Sequence, residues 1–418
     1  MEDLQNRYLS VYVEVQQPPN TCVLEVLEDN ISSDGSLKLT GNVNDQLKHG
    51  DRLTDDDMLV LSKTLVGNSA IKGLDLRYNN ITDKGAVYVA HLIQENESLQ
   101  SLDLMCNNIE AYGAEMIAKS MHKNKSLKML RMTGNKIGNK GAMQLAAMLQ
   151  INSTLEEIDI SDCDLATQSV VAFAIVLKNN RKICAINAGR PLLFSLQEET
   201  TVHMAQMLVV NKTLRELHLG KHDMTDTGVE RLREALKLNV SLRYLDLHCN
   251  RITRDGAKCL SEVLKQNPSL EILDLSSNRI EDDGAVYLSE AIKLPHSKLK
   301  ALSVTSNNIG KEGLKSFNEA MKVNSCLTHI YIWGNKLEKP VCVAFSRLIS
   351  SGRLLEEHTD VSPYEVDDHV FLAEVSHGLR RHYYWTSRYG EYRDSSNSAL
   401  ALMQSDSLAL QIHPDSHS

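Results

Sequence analysis

The sequence predicts an α/β solenoid in which short parallel strands line the concave face of a horseshoe and helices cover its convex face. Three observations predict this fold. The pattern LxxLxLxxNxL recurs along the chain, a Gly recurs at one offset after most of the Asn residues, and helical apolar spacing follows that Gly. Because parallel strands lie about 4.8 Å apart and helices need about 10 Å, the strand side must form the inner wall of an arc.

The repeat occurs ten times at spacings of 28 to 31 residues. A degenerate half-repeat around Leu37, Leu39 and Asn42 precedes it. The chain therefore divides into an N-terminal segment with a capping half-repeat (1–70), the repeat array (71–353), a C-terminal cap or docking segment (354–393), and a Ser-rich tail (394–418) whose composition predicts disorder. The ten units start at Ile71, Leu99, Leu127, Leu155, Ile183, Leu214, Leu242, Leu270, Leu299 and Leu327.

Each position of the unit has a predicted structural role. The leucines of LxL alternate with outward residues and face the core. An inward Asn such as Asn107 satisfies loop backbone groups. Thr82 and Thr253 begin helices as N-caps, and a recurring Gly such as Gly85 permits close backbone packing. An Asn such as Asn96 ends most helices, for which we expect the left-handed conformation.

These motifs resemble leucine-rich repeats of the ribonuclease-inhibitor subtype, from residue 71 to about 350. The resemblance implies an interaction scaffold, not an enzyme, that grips a protein partner on its concave face. It leaves two alternatives open. One is a regulator of an enzyme, because ribonuclease inhibitors and the activator of the Ran GTPase share the repeat, although their Cys-rich composition and acidic tail are missing here. The other is a free-standing array like those that end nucleotide-binding immune receptors.

Motifs and composition exclude several classes of function. No GxSxG, GxxxxGK[ST] or HExxH motif occurs, and the eight Cys form no CxxC pair, so we expect no catalysis, cofactor or metal. The formal charge of −9 favours a basic protein partner and disfavours direct nucleic-acid binding, which would have to use the basic stretch Arg380–Arg393.

Scattered Cys, with no secretory signal or membrane segment, predict an intracellular protein of the cytoplasm or nucleus, including the nucleolus. The oligomeric state cannot be read from the sequence.

Residues that alternate with the core leucines are free to vary, so partner-binding residues are expected there. One candidate is an acidic column that could attract a basic partner, with the alternative that Asp only keeps the inner sheet soluble. It consists of Asp75, Asp103, Asp159, Asp246 and Asp274.

The other candidate is a patch of large side chains in the last unit, at His329, Tyr331 and Trp333. Exposed Tyr and Trp are frequent anchors of interfaces, and ribonuclease inhibitors are similar in placing aromatic binding residues near this end. Tyr244 and His248 stand in the same variable rows. The alternative is that the C-terminal segment, through its HYYW sequence, folds over the patch as a cap.

The fifth unit breaks the pattern. It carries three extra residues, a Pro near the Asn position and no recurrent Gly. Residues Arg190 to Glu199 therefore form either a specialised loop or a tolerated surface insertion.

Overall fold

The computed structural model describes residues 2–16, 19–29, 35–41, 52–193 and 198–375. The chain divides into two compact units, Met1–Asp223 with Glu234–Leu242, and Met224–Arg233 with Arg243–Ser418. The Asn42 of the predicted half-repeat, the Arg380–Arg393 stretch, the HYYW sequence and the tail 394–418 lie outside the described residues.

The first unit alternates strands and helices along the chain. Its strands are β1 (Ser36–Lys38), β2 (Gly73–Asp75), β3 (Ser101–Asp103), β4 (Met129–Arg131), β5 (Glu157–Asp159), β6 (Ala185–Asn187) and β7 (Glu216–His218). Its helices are α1 (Glu2–Val15), α2 (Thr21–Asp29), α3 (Asp55–Leu65), α4 (Asp83–Glu95), α5 (Ala111–Met121), α6 (Gly138–Met148), α7 (Thr167–Leu177) and α8 (Glu199–Val210). Helix α9 is Asp226–Leu238.

The second unit continues the same alternation and ends in a hairpin. Its strands are β8 (Tyr244–Asp246), β9 (Ile272–Asp274), β10 (Ala301–Ser303), β11 (His329–Tyr331), β12 (Val361–Val366) and β13 (His369–Glu374). Its helices are α10 (Arg254–Gln266), α11 (Glu281–Ile292), α12 (Lys311–Val323) and α13 (Lys339–Ser350), followed by a 3₁₀ turn, Glu356–His358.

Strands β1 to β7, and separately β8 to β11, pair in parallel with their neighbours in chain order. The register places each repeat directly beside the next, as in the pairing of Leu74 with Leu102. The patterned leucines are buried; Leu76, Leu104 and Leu247, for example, are 0% exposed. This arrangement confirms the predicted solenoid of strand, loop and helix units.

The inward Asn links consecutive repeats through hydrogen bonds to the backbone. Asn107 Nδ2 donates to the carbonyls of Leu76 (2.9 Å) and Leu104 (3.0 Å), and its Oδ1 accepts from the N–H of Ile81 (3.1 Å). Three loop groups that would otherwise be buried without partners are thus satisfied by one amide. The role predicted for this Asn is confirmed.

The recurring Gly marks a close contact with an Asp of the preceding helix. Asp55 accepts from the N–H of Thr82 and of Gly85, at 2.8 and 2.9 Å. A Cβ at Gly85 would lie 2.4 Å from the Asp55 carboxylate, so only Gly fits. The TDDD sequence at the start of α3 therefore caps the next repeat's helix as well as its own, where Asp57 completes a capping box with Thr54.

The expectation that helix-ending Asn residues adopt the left-handed conformation is wrong. Asn96 has an extended backbone, with φ −97° and ψ 122°. Its Oδ1 accepts from the N–H groups of Ser98 and Leu99, and its Nδ2 donates to the carbonyl of Leu65 in the preceding helix. The hydrogen bonds of the Asn side chain therefore stabilise the turn into the next strand and satisfy a helix-end carbonyl.

The described N-terminal residues add two helices that the repeat pattern did not predict. Strand β1 pairs with β2, so the half-repeat extends the sheet. Helix α1 packs on α3, where the Tyr12 hydroxyl and the Asn20 amide both donate to Asp57. These helices cover the N-terminal end of the array.

In the fifth unit the sheet is undisturbed, because β6 pairs with both β5 and β7. Arg190 has a positive φ of 57° and pairs with Asp162 at 2.7 Å. Residues 194–197 of the predicted loop lie outside the described part, so a specialised role for the loop stays a prediction.

Candidate partner-binding face

In each compact unit, the side chains that alternate with the core leucines form three rows on one side of the strands, which we call the strand face of that unit. The strand register aligns the rows, for example Asp75 beside Asp103 and Asp246 beside Asp274. All ten predicted site residues belong to these rows. Their burial differs from the expectation, since every one except Trp333 is less than one-tenth exposed.

The five aspartates have a structural task that the sequence analysis did not identify. Each Oδ1 accepts a hydrogen bond from the backbone N–H two residues later, which closes the turn after the strand. The donors are Arg77 (3.1 Å) to Asp75, Met105 (2.7 Å) to Asp103, Ser161 (2.9 Å) to Asp159, His248 (2.9 Å) to Asp246 and Ser276 (2.9 Å) to Asp274. These carboxylates are engaged within the chain, and a partner-binding role for the acidic column stays a prediction.

Two arginines also compensate the negative charges of the aspartates in the first unit. Arg131 is 0% exposed and lies 3.4 Å from the carboxylates of both Asp103 and Asp159. Arg77 pairs with Asp75 at 2.7 Å and lies 3.4 Å from Asp103. Burial raises the pKa of Asp103 to about 7 against the lowering effect of Arg131. The negative charges of these aspartates are therefore compensated by arginines of the same chain.

Glu157 and Glu216 contrast with the aspartates. They flank Ala185 in one row, and the buried Oε2 of each has no hydrogen-bond partner among the described residues. Burial raises the pKa of Glu216 to about 8, against the lowering effects of His218 and Arg215. Burial, and next the charge of Glu216, raise the pKa of Glu157. Glu216 therefore holds a proton at neutral pH.

We predict that Glu216→Gln stabilises the protein more at pH 8.5 than at pH 5.5. The raised folded-state pKa means that wild-type stability falls as pH rises from the unfolded value near 4.5 toward 8, whereas Gln keeps the neutral form. The stability gap between variant and wild type should widen by about 1–3 kcal/mol over this range. Urea denaturation at the two pH values measures it, and a gap that does not change with pH would contradict the assignment.

In the second unit, His248 joins two of the aspartates. Its Nδ1 lies 2.7 Å from Asp246 Oδ1, and ligand atoms of Asp246, His248 and Asp274 all lie within 4.8 Å of one another. An imidazole and two carboxylates form a donor set suited to a divalent transition metal. The carboxylates also accept backbone N–H groups, and Ser276 Oγ donates to Asp274 at 2.5 Å. No ligand spacing in the sequence had indicated this cluster.

The predicted aromatic patch is partly covered by the segment that follows α13. The ring of His358 stacks on His329, with centroids 3.6 Å apart. Burial, and next the proximity of His358, lower the pKa of His329 to about 3. Tyr331 is 2% exposed, and Trp333 is half-buried. The alternative expectation was a cap over all three residues through the HYYW sequence, which lies outside the described residues; among the three, Trp333 is the most accessible.

Asp360 closes the edge of β11 where a further strand would pair. Its carboxylate accepts from the N–H groups of Ile332 (2.8 Å) and Trp333 (3.0 Å) and from Thr305 Oγ1 (3.1 Å). The hairpin β12–β13 follows and packs on α13. A 3₁₀ turn and a side chain that mimics a neighbouring strand thus follow the last repeat strand.

We predict that Asp360→Ala lowers the free energy of unfolding of the C-terminal end by about 1–3 kcal/mol, because two edge N–H groups lose their acceptor. Hydrogen exchange of the Ile332 and Trp333 amides should accelerate. Glu357→Ala, an exposed neighbour on the 3₁₀ turn, serves as the control and should leave these amides unchanged. Equal exchange in the two variants would show that Asp360 does not close the edge.

Comparison with known proteins agrees with this architecture. The profile of the Leucine Rich repeat family matches residues 67–90, 95–118, 123–146, 152–174, 210–232, 238–261, 266–289 and 296–317, and leaves out the irregular fifth unit. No helix of the described residues is long and apolar enough to cross a membrane.

Relatives match over nearly the whole chain. Leucine-rich repeat-containing protein 34 of Mus musculus is 55% identical over 96% of this chain and 99% of its own length. The Homo sapiens protein of that name is 53% identical over 96% of this chain and 88% of its own length. Among solved structures, the Rad7 and Elc1 complex in yeast has a TM-score of 0.46 at 15% identity, over 80% of this chain and 88% of that one. The chain belongs to the leucine-rich repeat-containing protein 34 family.

Proposed function

We propose that the chain is a non-enzymatic scaffold that binds a basic protein partner through its strand face. The observation that carries the proposal is the Glu157–Glu216 pair, in which the buried Oε2 of each residue has no hydrogen-bond partner among the described residues. Unsatisfied buried carboxyls are costly, and a structural role would supply each with a donor, as the aspartates have. A Lys or Arg of a partner would supply the missing donor.

Only a small side chain separates the two glutamates in their row, which is that of Ala185. Glu157 is partly exposed as a residue, although its Oε2 is buried. The half-buried Trp333 of the second unit offers an apolar anchor of the kind that binding sites use.

Two features support an intracellular scaffold in the cytoplasm, nucleus or nucleolus. All eight Cys are free, as is usual in reducing compartments. Arg77 and Arg131 are arginines of the strand face, of the kind that a GTPase regulator could direct at a nucleotide, and both are held in ion pairs with aspartates. These contacts favour the scaffold over the enzyme-regulator alternative.

Affinity capture from cells tests the proposal. The wild-type chain is compared with Glu157→Gln plus Glu216→Gln, with Trp333→Ala, and with Tyr364→Ala as a control on the hairpin, where Tyr364 is 49% exposed. We expect one set of basic proteins to be lost with the first two variants and retained with the control. Retention of every captured protein by the strand-face variants would refute the proposal.

Binding should also release protons. A cation beside the glutamates favours their charged forms, so the partner's affinity should rise between pH 6 and pH 8. Titration calorimetry in buffers of different ionisation enthalpy detects the release. The Glu157→Gln plus Glu216→Gln protein should show none.

A further inference from the structure

The C-terminal ends of helices α6 to α9 expose an unusual amount of aliphatic surface, all of it in the first compact unit. We call these residues the helix-end patch. They are Ile151 (65% exposed), Ile175 (49%), Val209 (38%), Val210 (46%), Leu238 (61%) and Val240 (58%). Clustered exposed apolar side chains commonly mark interaction sites, whereas isolated ones need no explanation.

Contacts between the helices show that these residues are neighbours. Ile151 and Ile175 line one groove of about 550 Å³ between the ends of α6 and α7. Lys178 Nζ donates to Gln206 Oε1 at 3.1 Å, which joins the ends of α7 and α8. Lys212 Nζ donates to the carbonyls of Val209 and Leu238, which joins α8 to α9. The patch therefore runs across four consecutive helix ends.

The charge around the patch is opposite to that of the whole protein. Segments 149–153, 177–182, 208–212 and 236–240 contain no Asp or Glu, in a chain whose formal net charge is −9. The nearest acid along α9 is Glu234, 3.6 Å from Lys237. The cations of these segments are Lys178, Arg181, Lys182, Lys212 and Lys237.

The repeat architecture does not require apolar residues here. The position just before the helix-ending Asn holds Ile151, Val210 and Leu238 in the patch. The same position holds Glu95, Lys123 and Gln266 in other units, whose helices end in the same way. Outside the patch, Val323 of α12 is also aliphatic at this position, so the repeat permits but does not require an apolar residue there, and the patch concentrates them.

We propose that the helix-end patch binds an acidic amphipathic peptide segment of a protein partner. Aliphatic side chains of the segment occupy the groove between α6 and α7 and the surface beyond it, and its carboxylates pair with the surrounding Lys and Arg. Arg181 and Lys212 donate to helix-end carbonyls and keep their positive charge, so they attract the acidic segment while they cap the helices. The site is separate from the strand face and does not depend on the function proposed for it.

Two other ligands are less suited to the patch. A membrane surface is flat, whereas Ile151 and Ile175 line a concave groove. Single-stranded nucleic acid binds through aromatic stacking as well as charge, and the six residues of the patch are all aliphatic. Binding of a membrane or of single-stranded nucleic acid is a separate outcome of the experiment that follows.

A random peptide library selected on the full-length protein tests the inference. We expect enrichment of peptides that combine Asp or Glu with Leu, Ile or Val. Their affinity should fall about tenfold or more with Ile151→Ser plus Leu238→Ser. It should also fall with Lys182→Glu and at high salt, because the charges are exposed.

Two control variants separate this site from other causes. Val323→Ser changes a 70%-exposed residue at the same repeat position in α12, outside the patch, and should leave peptide binding unchanged. Trp333→Ala should also leave it unchanged, so failure here and failure of the strand-face proposal can be told apart. Selection of no peptides, of basic peptides, or of peptides that bind the patch variant normally would overturn the inference. So would patch-dependent binding to phosphatidylserine vesicles or to poly(U) RNA in the absence of peptide binding.

Discussion

Asn107→Ala is expected to lower the free energy of unfolding by about 3–5 kcal/mol. Its amide serves the N–H of Ile81 and the carbonyls of Leu76 and Leu104. Alanine would leave all three backbone groups without this partner, in a site where Asn107 itself is only 6% exposed. Equivalent Asn residues such as Asn135 and Asn278 link other neighbouring repeats in the same way, so one substitution weakens the interface between two repeats.

The adjacent Asn108 provides a matched control, since it is the same residue type but exposed. Asn108→Ala should change the free energy of unfolding by less than about 0.5 kcal/mol. Urea denaturation followed by circular dichroism measures both variants. Equal losses in the two would mean that the amide ladder does not hold the repeats together.

Arg131→Met should cost about 3–5 kcal/mol at pH 7.5, because it leaves two buried carboxylates, Asp103 and Asp159, without their shared cation. The loss should shrink at pH 5. Without the guanidinium the pKa of Asp103, already raised to about 7 by burial, rises further. A carboxyl with a raised folded-state pKa destabilises the protein increasingly as pH climbs above its unfolded value. At pH 5 Asp103 is neutral and needs no cation.

A triple variant separates charge from packing. Arg131→Met with Asp103→Asn and Asp159→Asn removes the buried charges together and should recover most of the loss. Arg77→Met should cost less, because the Arg77 side chain is 32% exposed. An Arg131→Met penalty that is independent of pH and is not relieved in the triple variant would argue against the ion network.

The fold was predictable because its determinants repeat. Asn107 and Gly85 recur at fixed offsets, and their contacts are those that backbone satisfaction and close packing require. The same logic applied to Asp75 and its counterparts would have identified them as architecture, since Asp occupies that position in half of the units. Their exposure could not be judged from alternation alone, because the hydrogen bonds that hold them depend on three-dimensional turn geometry.

Features that occur only once in the chain have no repeated sequence pattern from which they could be predicted. Asp360 lies outside the repeat, and only the edge of β11 shows what it does. The Glu157–Glu216 pair is separated by 59 positions and an irregular unit, so its proximity depends on the register of three strands. The helix-end patch could have been read from the sequence, because Ile151, Val210 and Leu238 replace polar residues at one repeat position.

Site-specific photo-cross-linking tests the central claim most directly, which is that the repeats hold a frame and the strand face recognises the partner. A benzoylphenylalanine is placed at Trp333 or Arg77 on the strand face, and at Tyr112 or Tyr364 as exposed positions elsewhere. We expect the same basic protein to be cross-linked from Trp333 and Arg77 and not from the other two. Cross-links to that protein only from Tyr112 or Tyr364 would contradict the claim.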